Sequence, residues 1–195
     1  GKSVLLRLCH GLLQPSAGSI RWAAGSSRQQ RRQQAMVFQS PVHLRRSARA
    51  NVEFALSVQG LDRSTIRERT TRVLEATGLD GIASRPARVL SGGEQQRLAL
   101  ARAWALQPRV LFLDEPVVHL DPAATRMVED LILRIDGSGA KIIMVSHDLG
   151  QVRRLADDVI FLHNGRLIEH SPVTRFLGDA RSAQARAFVK GELLY

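Results

Sequence analysis

The residues best suited to chemistry in this sequence are two adjacent carboxylates, Asp114 and Glu115, which follow an apolar run at residues 110–113. Such a run is typical of a central parallel strand that is covered on both faces. Carboxylates at the carboxyl end of that strand lie where open α/β sheets bind their ligands. One carboxylate can bind a metal ion while the other activates water, which is a plausible arrangement for phosphoryl chemistry.

The chain opens on Gly1, Lys2 and Ser3, directly before an apolar helical stretch. Glycine, lysine and a hydroxyl residue at a helix start are the arrangement of a phosphate-binding loop. Three residues recur freely in unrelated sequences, so their meaning depends on the other motifs. The apolar positions of the predicted helix are Val4, Leu5, Leu8 and Leu12.

Ser91, Gly92 and Gly93 form a turn before a predicted amphipathic helix, which Pro108 ends. The glycines allow a close backbone approach, and the first amides of the helix face outward as donors for an anion. The segment is therefore a candidate anion-binding site. The alternative interpretation is a plain helix start with Ser91 as its N-cap.

Polar residues also end two other predicted strands. Gln39 follows the strand at residues 36–38, and His147 follows the strand at residues 141–145. Either residue could be only the polar end of its strand. Their occurrence in one series with Asp114 and Glu115 favours a shared site.

The remaining elements follow from periodicity and turn residues. Residues 41–89 are predicted to be helical, with a capping box of Thr65 and Glu68, an apolar stripe of Ile66, Val73 and Leu74, and Gly78 at a C′ position.

Asp121 and Pro122 start a helix whose core face is Met127, Val128, Leu131, Ile132 and Ile135, and Asp148 caps another. An extended piece is expected from residue 19 to 22, a surface loop at 24–34, a hairpin at 159–169 around Asn164 and Gly165, and helix from 172 onward.

Composition restricts the class of protein. The chain has 195 residues, of which 44% are hydrophobic and 24% charged, as in an ordinary globular domain. The single cysteine, Cys9, excludes an internal disulfide and fits a reducing compartment. No apolar run approaches the roughly 20 residues that span a bilayer.

The formal net charge of +10 raises the question of a nucleic-acid partner. The arginines are spread along predicted helices, and aromatic residues for base stacking make up only 5% of the chain. A solvated basic surface is the simpler interpretation, and anionic lipid head groups are an alternative. Nucleic acid is not the expected partner.

Two motifs at this spacing resemble the nucleotide-binding subunit of ATP-binding cassette (ABC) transporters. LSGGEQQR at residues 90–97 matches the signature motif of that family, and LFLDEP at residues 111–116 matches its Walker B strand with the catalytic glutamate. GKS at residues 1–3 resembles the end of its Walker A motif. The resemblance covers nearly the whole chain. It implies an α/β fold of the P-loop NTPase (RecA-like) type, with a parallel sheet core at residues 1–40 and 90–195 and an α-helical subdomain inserted at residues 41–89.

The resemblance also implies ATP and Mg²⁺ as cofactors and a role for each motif residue. Glu115 would orient or deprotonate the attacking water, His147 would contact the γ-phosphate, and Gln39 would reach the metal and the water. The expected ligands of Mg²⁺ are Ser3, Gln39 and Asp114. The expected nucleotide-binding residues are Gly1, Lys2, Ser3, Ser91, Gly92, Gly93 and Asp121.

Two departures from the family pattern are visible. Val117, Val118 and His119 stand where many relatives have threonine, serine and alanine, which puts in question the hydrogen bonds of those hydroxyls near a dimer interface. The chain also begins inside the Walker A motif, which we interpret as an N-terminal truncation. The truncated chain is expected to be less stable, and to bind ATP less well, than its parent.

By the same resemblance, the expected function is ATP hydrolysis that energises solute uptake. The expected partners are a transmembrane permease, a second copy of this subunit in a head-to-tail homodimer and a solute-binding protein, at the cytoplasmic face of the inner membrane. Residues 38–56, 146–157 and 188–194 resemble tungstate or molybdate-type oxyanion importers, ahead of phosphate and polar amino-acid importers. Two alternatives remain: a soluble ABC ATPase acting on DNA or the ribosome, and a degenerate cassette that binds ATP without hydrolysing it.

Overall fold

A computed structural model describes residues 1–22 and 33–192 of the chain. Most of the loop predicted at residues 24–34 lies outside these residues, and Gln34 itself opens a strand. The elements are α1 (Lys2–His10), β1 (Gln34–Val37), α2 (Ala48–Val58), α3 (Arg63–Ala76), α4 (Gly92–Ala105), β2 (Val110–Asp114), α5 (Pro122–Gly137), β3 (Lys141–Val145), α6 (Leu149–Leu155), β4 (Asp158–His163), β5 (Arg166–Pro172), α7 (Val173–Asp179) and α8 (Ala183–Val189). Among the described residues, no helix is both long and apolar enough to cross a membrane.

The chain divides into two compact units. The larger unit is Leu6–Met144, and the smaller unit consists of Gly1–Leu5 and Val145–Tyr195.

The larger unit contains a sheet with the strand order β1-β2-β3. β2 is central as predicted, with Leu111, Phe112 and Leu113 fully buried. β1 and β2 are parallel, and Val37 pairs with Leu113. β1 ends at Val37, one residue earlier than predicted, and Phe38 beyond it is 36% exposed. The carboxyl ends of both strands therefore meet at one edge.

Helices α2, α3 and α4 share a second core in this unit. Its fully buried members include Ala48, Val52, Leu56, Leu79, Ala87, Leu98 and Ala101. The predicted stripe on α3 is confirmed, since Val73 and Leu74 are buried and Ile66 packs against the same core. Gly78 has φ +62°, as predicted for a residue just after a helix end.

The predicted capping box of Thr65 and Glu68 is wrong. The N-cap of α3 is Asp62, whose carboxylate accepts hydrogen bonds from the amides of Ser64 and Thr65. The Glu68 side chain instead pairs with Arg72, one turn further along the helix. The hydroxyls of Ser64 and Thr65 also donate hydrogen bonds to the Asp62 carboxylate. The bonds from these hydroxyls, followed by those from the two amides, hold the pKa of Asp62 well below its usual range. Asp62, directly before the first helical residue, outcompetes the later threonine as a cap.

Apolar residues are only partly buried in three of the elements. Strand β3 forms at the predicted residues, but Ile143 is 36% exposed. In α1 only Leu6 is buried, and Val4 is 50% exposed. In α5 the predicted core face is correct apart from Met127, which is 49% exposed. Residues 19–22 form no strand.

The smaller unit contains the predicted hairpin, β4 antiparallel to β5. Asn164 and Gly165 have φ of +47° and +74°, as a tight hairpin turn requires. Phe161, Phe176 and Ala185 form its core with neighbouring apolar residues.

Glu169 joins β5 of this unit to the start of α8. Its buried carboxylate accepts hydrogen bonds from the amides of Arg181 and Ser182 and from the hydroxyls of Ser171 and Ser182. Burial raises the pKa of Glu169, but these hydrogen bonds outweigh it and lower the pKa to about 2. The carboxylate is therefore charged at neutral pH and fixes the entry to α8.

Candidate functional site

The carboxyl edge of β1 and β2 brings together three of the predicted site residues, Gln39, Asp114 and Glu115. Because Val37 pairs with Leu113, the next residues along the two strands are Phe38 and Asp114. Gln39 follows directly and is exposed. Glu115 follows Asp114 and is half-buried. The structure thus has an amide and two carboxylates at one edge of the sheet.

Asp114 is the most buried of these polar groups, at 2% exposure. A buried carboxylate is costly unless a cation or hydrogen-bond donors accompany it. Its oxygen Oδ2 lies 4.0 Å from a guanidinium nitrogen of Arg7 on α1. The same guanidinium lies over the Phe38 ring, 5.8 Å from the ring centroid. Arg7 therefore contacts the ends of both strands.

Glu115 has a backbone conformation that is rare outside glycine. Its φ is +48°, in the left-handed region, which costs free energy for a residue with a Cβ. The chain turns here, with the Val118 amide donating to the Glu115 carbonyl at 3.3 Å. His119, in the same turn, also has positive φ, at +65°. Strain of this kind clusters at functional sites, and here it aims the chain away from β2 directly after the two carboxylates.

The loop after Gln39 is fixed by a residue that the sequence reasoning missed. Asn51 on α2 is fully buried. Its side chain accepts a hydrogen bond from the Leu44 amide at 2.9 Å and donates to the carbonyls of Leu44, Arg46 and Ser47. A buried asparagine in a helix interior is unfavourable unless it is used in this way.

Ser91 is the N-cap of α4. Its hydroxyl accepts a hydrogen bond from the Glu94 amide at 3.3 Å, and its own amide donates to the Glu94 carboxylate at 2.7 Å. This capping box lowers the pKa of Glu94, chiefly through the bond from the Ser91 amide. The N-cap alternative considered for Ser91 is therefore what this chain adopts by itself, and Ser91 and Gly92 remain exposed.

Gly92 and Gly93 differ in what surrounds them. A Cβ at Gly93 would lie 2.8 Å from Cβ of Ala124 on α5, closer than side-chain atoms pack. A Cβ at Gly92 would lie 3.7 Å from Leu120, an ordinary contact. Packing between α4 and α5 thus requires glycine at residue 93 alone.

Asp121 caps α5, as predicted. Its Oδ1 accepts hydrogen bonds from the amides of Ala123 and Ala124, both at 2.9 Å, with Pro122 at the first helical position. The close contact of Gly93 with Ala124 places Asp121 near the start of α4. The signature residues and Asp121 therefore form a second cluster within the larger unit.

The remaining predicted site residues lie in the smaller unit. Gly1 precedes α1, and its carbonyl accepts a hydrogen bond from the Leu5 amide at 3.0 Å. Lys2 and Ser3 are the first residues of that helix, with Lys2 exposed and Ser3 half-buried. His147 is exposed just after β3. It precedes Asp148, which caps α6 as predicted by accepting from the Gly150 amide at 2.7 Å.

The donors at the β1–β2 edge suit a hard divalent cation. Carboxylate, amide and hydroxyl oxygens are the ligands that Mg²⁺ prefers, and Mg²⁺ takes few protein ligands when phosphate oxygens supply the rest. Among the described residues, there is no group of three histidine, cysteine or acidic side chains that could hold a metal without such help. The buried carboxylate of Asp114, already facing a cation, fits a metal bound together with a phosphate compound.

Arg7 is the second residue that the sequence reasoning missed. The signal that could have revealed it is its position on α1, one helical turn after Ser3, where residues four apart lie on the same face.

Comparison with known proteins extends these observations. Residues 1–118 match the family model described as ABC transporter. The chain is 38% identical over its whole length to the phosphate import ATP-binding protein PstB 2 of Natronomonas pharaonis, of which the match covers 75%. It is 35% identical to the tungstate uptake system ATP-binding protein TupC of Peptoclostridium acidaminophilum, over 87% of this chain and 79% of that protein.

Two further relatives widen the range. The methionine import ATP-binding protein MetN of Nocardia farcinica is 38% identical over 97% of this chain, which spans 60% of that protein. Among solved structures, CbiO1 of Clostridium perfringens, part of the ABC transporter complex CbiONQ, superposes with a TM-score of 0.82 at 29% identity. That match covers 92% of this chain and 75% of CbiO1.

Proposed function

Because the chain belongs to the ABC transporter family, whose ATP-binding subunits are ATPases, we propose that it hydrolyses ATP to drive uptake of an oxyanion through a membrane permease. The observation that carries this proposal is the buried Asp114 beside a strained Glu115 at the end of the central strand. Folding alone does not favour a buried carboxylate or a left-handed glutamate. Their presence at a sheet edge that binds ligands in α/β folds supports a catalytic use.

In this proposal ATP is the substrate and Mg²⁺ accompanies it. Gln39 and Asp114 would supply oxygen ligands to the metal, as would Ser3 by the family resemblance, and the metal would supply positive charge to balance the phosphates. Lys2 contacts the β- and γ-phosphates, and the Gly1 backbone lies at the same helix start. These residues hold the phosphates in position for attack.

Glu115 then orients the attacking water or accepts its proton. Gln39 contacts the same water from the adjacent strand, and His147 contacts the γ-phosphate. The pair Asp114–Glu115 thereby divides the work, with one carboxylate for the metal and the other for water.

We also propose a head-to-tail homodimer. In it, Ser91, Gly92 and Gly93 of one subunit, together with Asp121, close over ATP bound by the other. The exposure of Ser91 and Gly92 and the outward amides of α4 support this use. ATP binding would close the dimer, and hydrolysis would reopen it.

The helices between residues 41 and 89 form the subdomain that docks onto the permease in this proposal. Their cleft is lined by Arg46, Arg49, Phe54, Arg63 and Arg67, among others, and has a volume of about 730 Å³. The loop held by Asn51 connects this region to Gln39, so a change at the nucleotide could reach the permease.

An oxyanion is the proposed solute because phosphate and tungstate importers are both among the relatives, and both ions are tetrahedral oxyanions. A solute-binding protein would recognise the ion. The proposed location is the cytoplasmic face of the inner membrane, against the permease.

Two experiments test this function. The tagged full-length protein is purified from detergent-solubilised membranes of its source, and an equal amount of a polytopic membrane protein is expected with it. Recovery with nucleic acid or ribosomes would contradict the transport role. Uptake of tungstate, phosphate and methionine is then measured in a deletion strain that carries the wild-type or the Glu115→Gln protein. Restored uptake of one oxyanion by the wild type alone is expected, and restored methionine uptake would overturn the oxyanion assignment.

A further inference from the structure

Within the larger unit, a guanidinium nitrogen of Arg7 lies 4.0 Å from Oδ2 of Asp114. The two side chains differ sharply in exposure, at 45% for Arg7 and 2% for Asp114. An exposed arginine that reaches a buried carboxylate has ample freedom to leave it. The contact is long enough that no close hydrogen bond must break first.

The Phe38 ring gives the Arg7 guanidinium a second contact, a cation–π interaction. The guanidinium lies 5.8 Å from its centroid, and Phe38 is 36% exposed. Arginine over an aromatic face is attracted by the ring even without a carboxylate partner. Arg7 can therefore give up Asp114 while its guanidinium remains beside the residue that precedes Gln39.

We propose that Arg7 is a placeholder cation, which neutralises Asp114 when no metal is bound and is displaced from it when Mg²⁺ arrives with the nucleotide. This inference rests on the proposed function, since it takes Asp114 as a metal ligand. Two cations cannot share one buried carboxylate without repelling each other. Arg7 therefore weakens metal binding and stabilises the metal-free protein.

The placeholder has a purpose in the cycle. In the metal-free site, the positive charge of Arg7 lowers the cost of burying the Asp114 carboxylate. With Arg7 in place, the edge stays folded between rounds of hydrolysis and metal release is eased. Arg7 is thus a positioning residue for Asp114 and touches neither water nor phosphate.

The test uses the full-length protein and two readouts other than activity. Free Mn²⁺ is measured by electron paramagnetic resonance in the presence of saturating ADP, and the melting temperature is measured in EDTA and in Mn²⁺ with ADP. The variants are Arg7→Met, Arg7→Lys and Asp114→Asn. Arg166→Met, at the exposed hairpin turn of the smaller unit, is the matched control.

We expect opposite effects from Arg7→Met. Its Mn²⁺ affinity should rise by about twofold to fivefold, on the scale of an exposed ion pair. Its melting temperature in EDTA should fall by a few degrees, and the gain on adding Mn²⁺ with ADP should exceed that of the wild type. Arg7→Lys should stay within about twofold of the wild-type Mn²⁺ affinity, because a positive charge remains, and Arg166→Met should match the wild type in both readouts.

An unchanged or weaker Mn²⁺ affinity in Arg7→Met would overturn the placeholder role. The Asp114→Asn variant separates a failure of the proposed metal site from a failure of the Arg7 role. If Asp114→Asn also leaves Mn²⁺ affinity unchanged, Asp114 is not a metal ligand and the proposed site fails. If Asp114→Asn abolishes Mn²⁺ binding while Arg7→Met leaves it unchanged, only the role of Arg7 fails.

Discussion

The sheet edge at Asp114 and the helix start at Ser91 are both proposed to act on phosphate. They differ in whether the requirements of folding can explain the residues found there. At the helix start, the Ser91 hydroxyl and amide are used in a capping box, and Gly93 is required by contact with Ala124. At the sheet edge, Asp114 is only 2% exposed and Glu115 has a strained backbone with φ +48°. A buried carboxylate and a left-handed glutamate are both unfavourable for folding in general.

The difference separates two kinds of evidence. A residue that the fold already requires, such as Gly93, indicates little about function. A residue in a conformation that is unfavourable for folding, such as Glu115 with its left-handed backbone, indicates chemistry. Substitutions of Ser91 and Gly93 at the helix start should therefore lower stability, whereas substitutions at the sheet edge should abolish activity and leave stability intact.

The largest expected effect is that of Asp114→Asn. ATP hydrolysis should fall by at least about a hundredfold, because in the proposed site the metal would lose its carboxylate ligand. The free energy of unfolding should stay constant or rise, since an isosteric neutral side chain no longer buries a charge. Steady-state ATPase assays and urea unfolding check the two halves. Loss of more than about 2 kcal/mol of stability would place Asp114 with the structural residues instead.

Gly93→Ala tests the packing side of the comparison. The added Cβ would lie 2.8 Å from Cβ of Ala124, and we expect a net loss of about 1–2 kcal/mol in unfolding free energy after the gain in helix propensity. Gly92→Ala is the matched control, because its Cβ would make an ordinary contact at 3.7 Å and stability should stay constant or rise. Equal stability of the two variants in urea unfolding would show that α4 and α5 do not pack this closely.

Ser91→Ala tests the cap. The Glu94 amide would lose its acceptor, and the free energy of unfolding should fall by about 1 kcal/mol. Ser91→Thr keeps the hydroxyl and should recover most of that loss. If Ser91→Ala is as stable as the wild type by thermal unfolding, the capping box contributes nothing and Ser91 belongs with the functional residues.

The smallest expected effect is in the pH dependence of stability. The pKa of Glu94 lies below its ordinary 4.5, so its contribution is fully present above pH 4.5 and is lost as pH falls through the lowered value. Wild-type stability should therefore fall more steeply than that of Glu94→Gln as pH decreases below 4.5. Urea unfolding at a series of pH values measures both dependences. If wild-type and Glu94→Gln stability fall in parallel, the bond from the Ser91 amide to Glu94 does not stabilise the protein.

Much of the fold could be predicted because local signals were sufficient. Four apolar residues before two carboxylates identified β2, Asn164 and Gly165 identified the hairpin turn, and Asp121 identified the start of α5. In each case neighbouring residues determine the conformation, so no tertiary information was needed.

The errors arose where distant contacts decide. Met127 was predicted on the core face of α5, yet it is 49% exposed, because burial depends on what packs against an element. The cap of α3 was placed at Thr65, because the sequence alone did not weigh Asp62 against it. Arg7 and Asn51 were missed, since their contacts lie across the fold in the one case and in the preceding loop in the other.

The most direct test of the central claim compares ATP binding and hydrolysis by the full-length protein and its Glu115→Gln variant. We predict that the variant binds ATP in the presence of Mg²⁺ as tightly as the wild type but hydrolyses it at least about a hundredfold more slowly, because water activation alone is lost. Hydrolysis at the wild-type rate by Glu115→Gln would contradict the assignment of the sheet edge as the catalytic site.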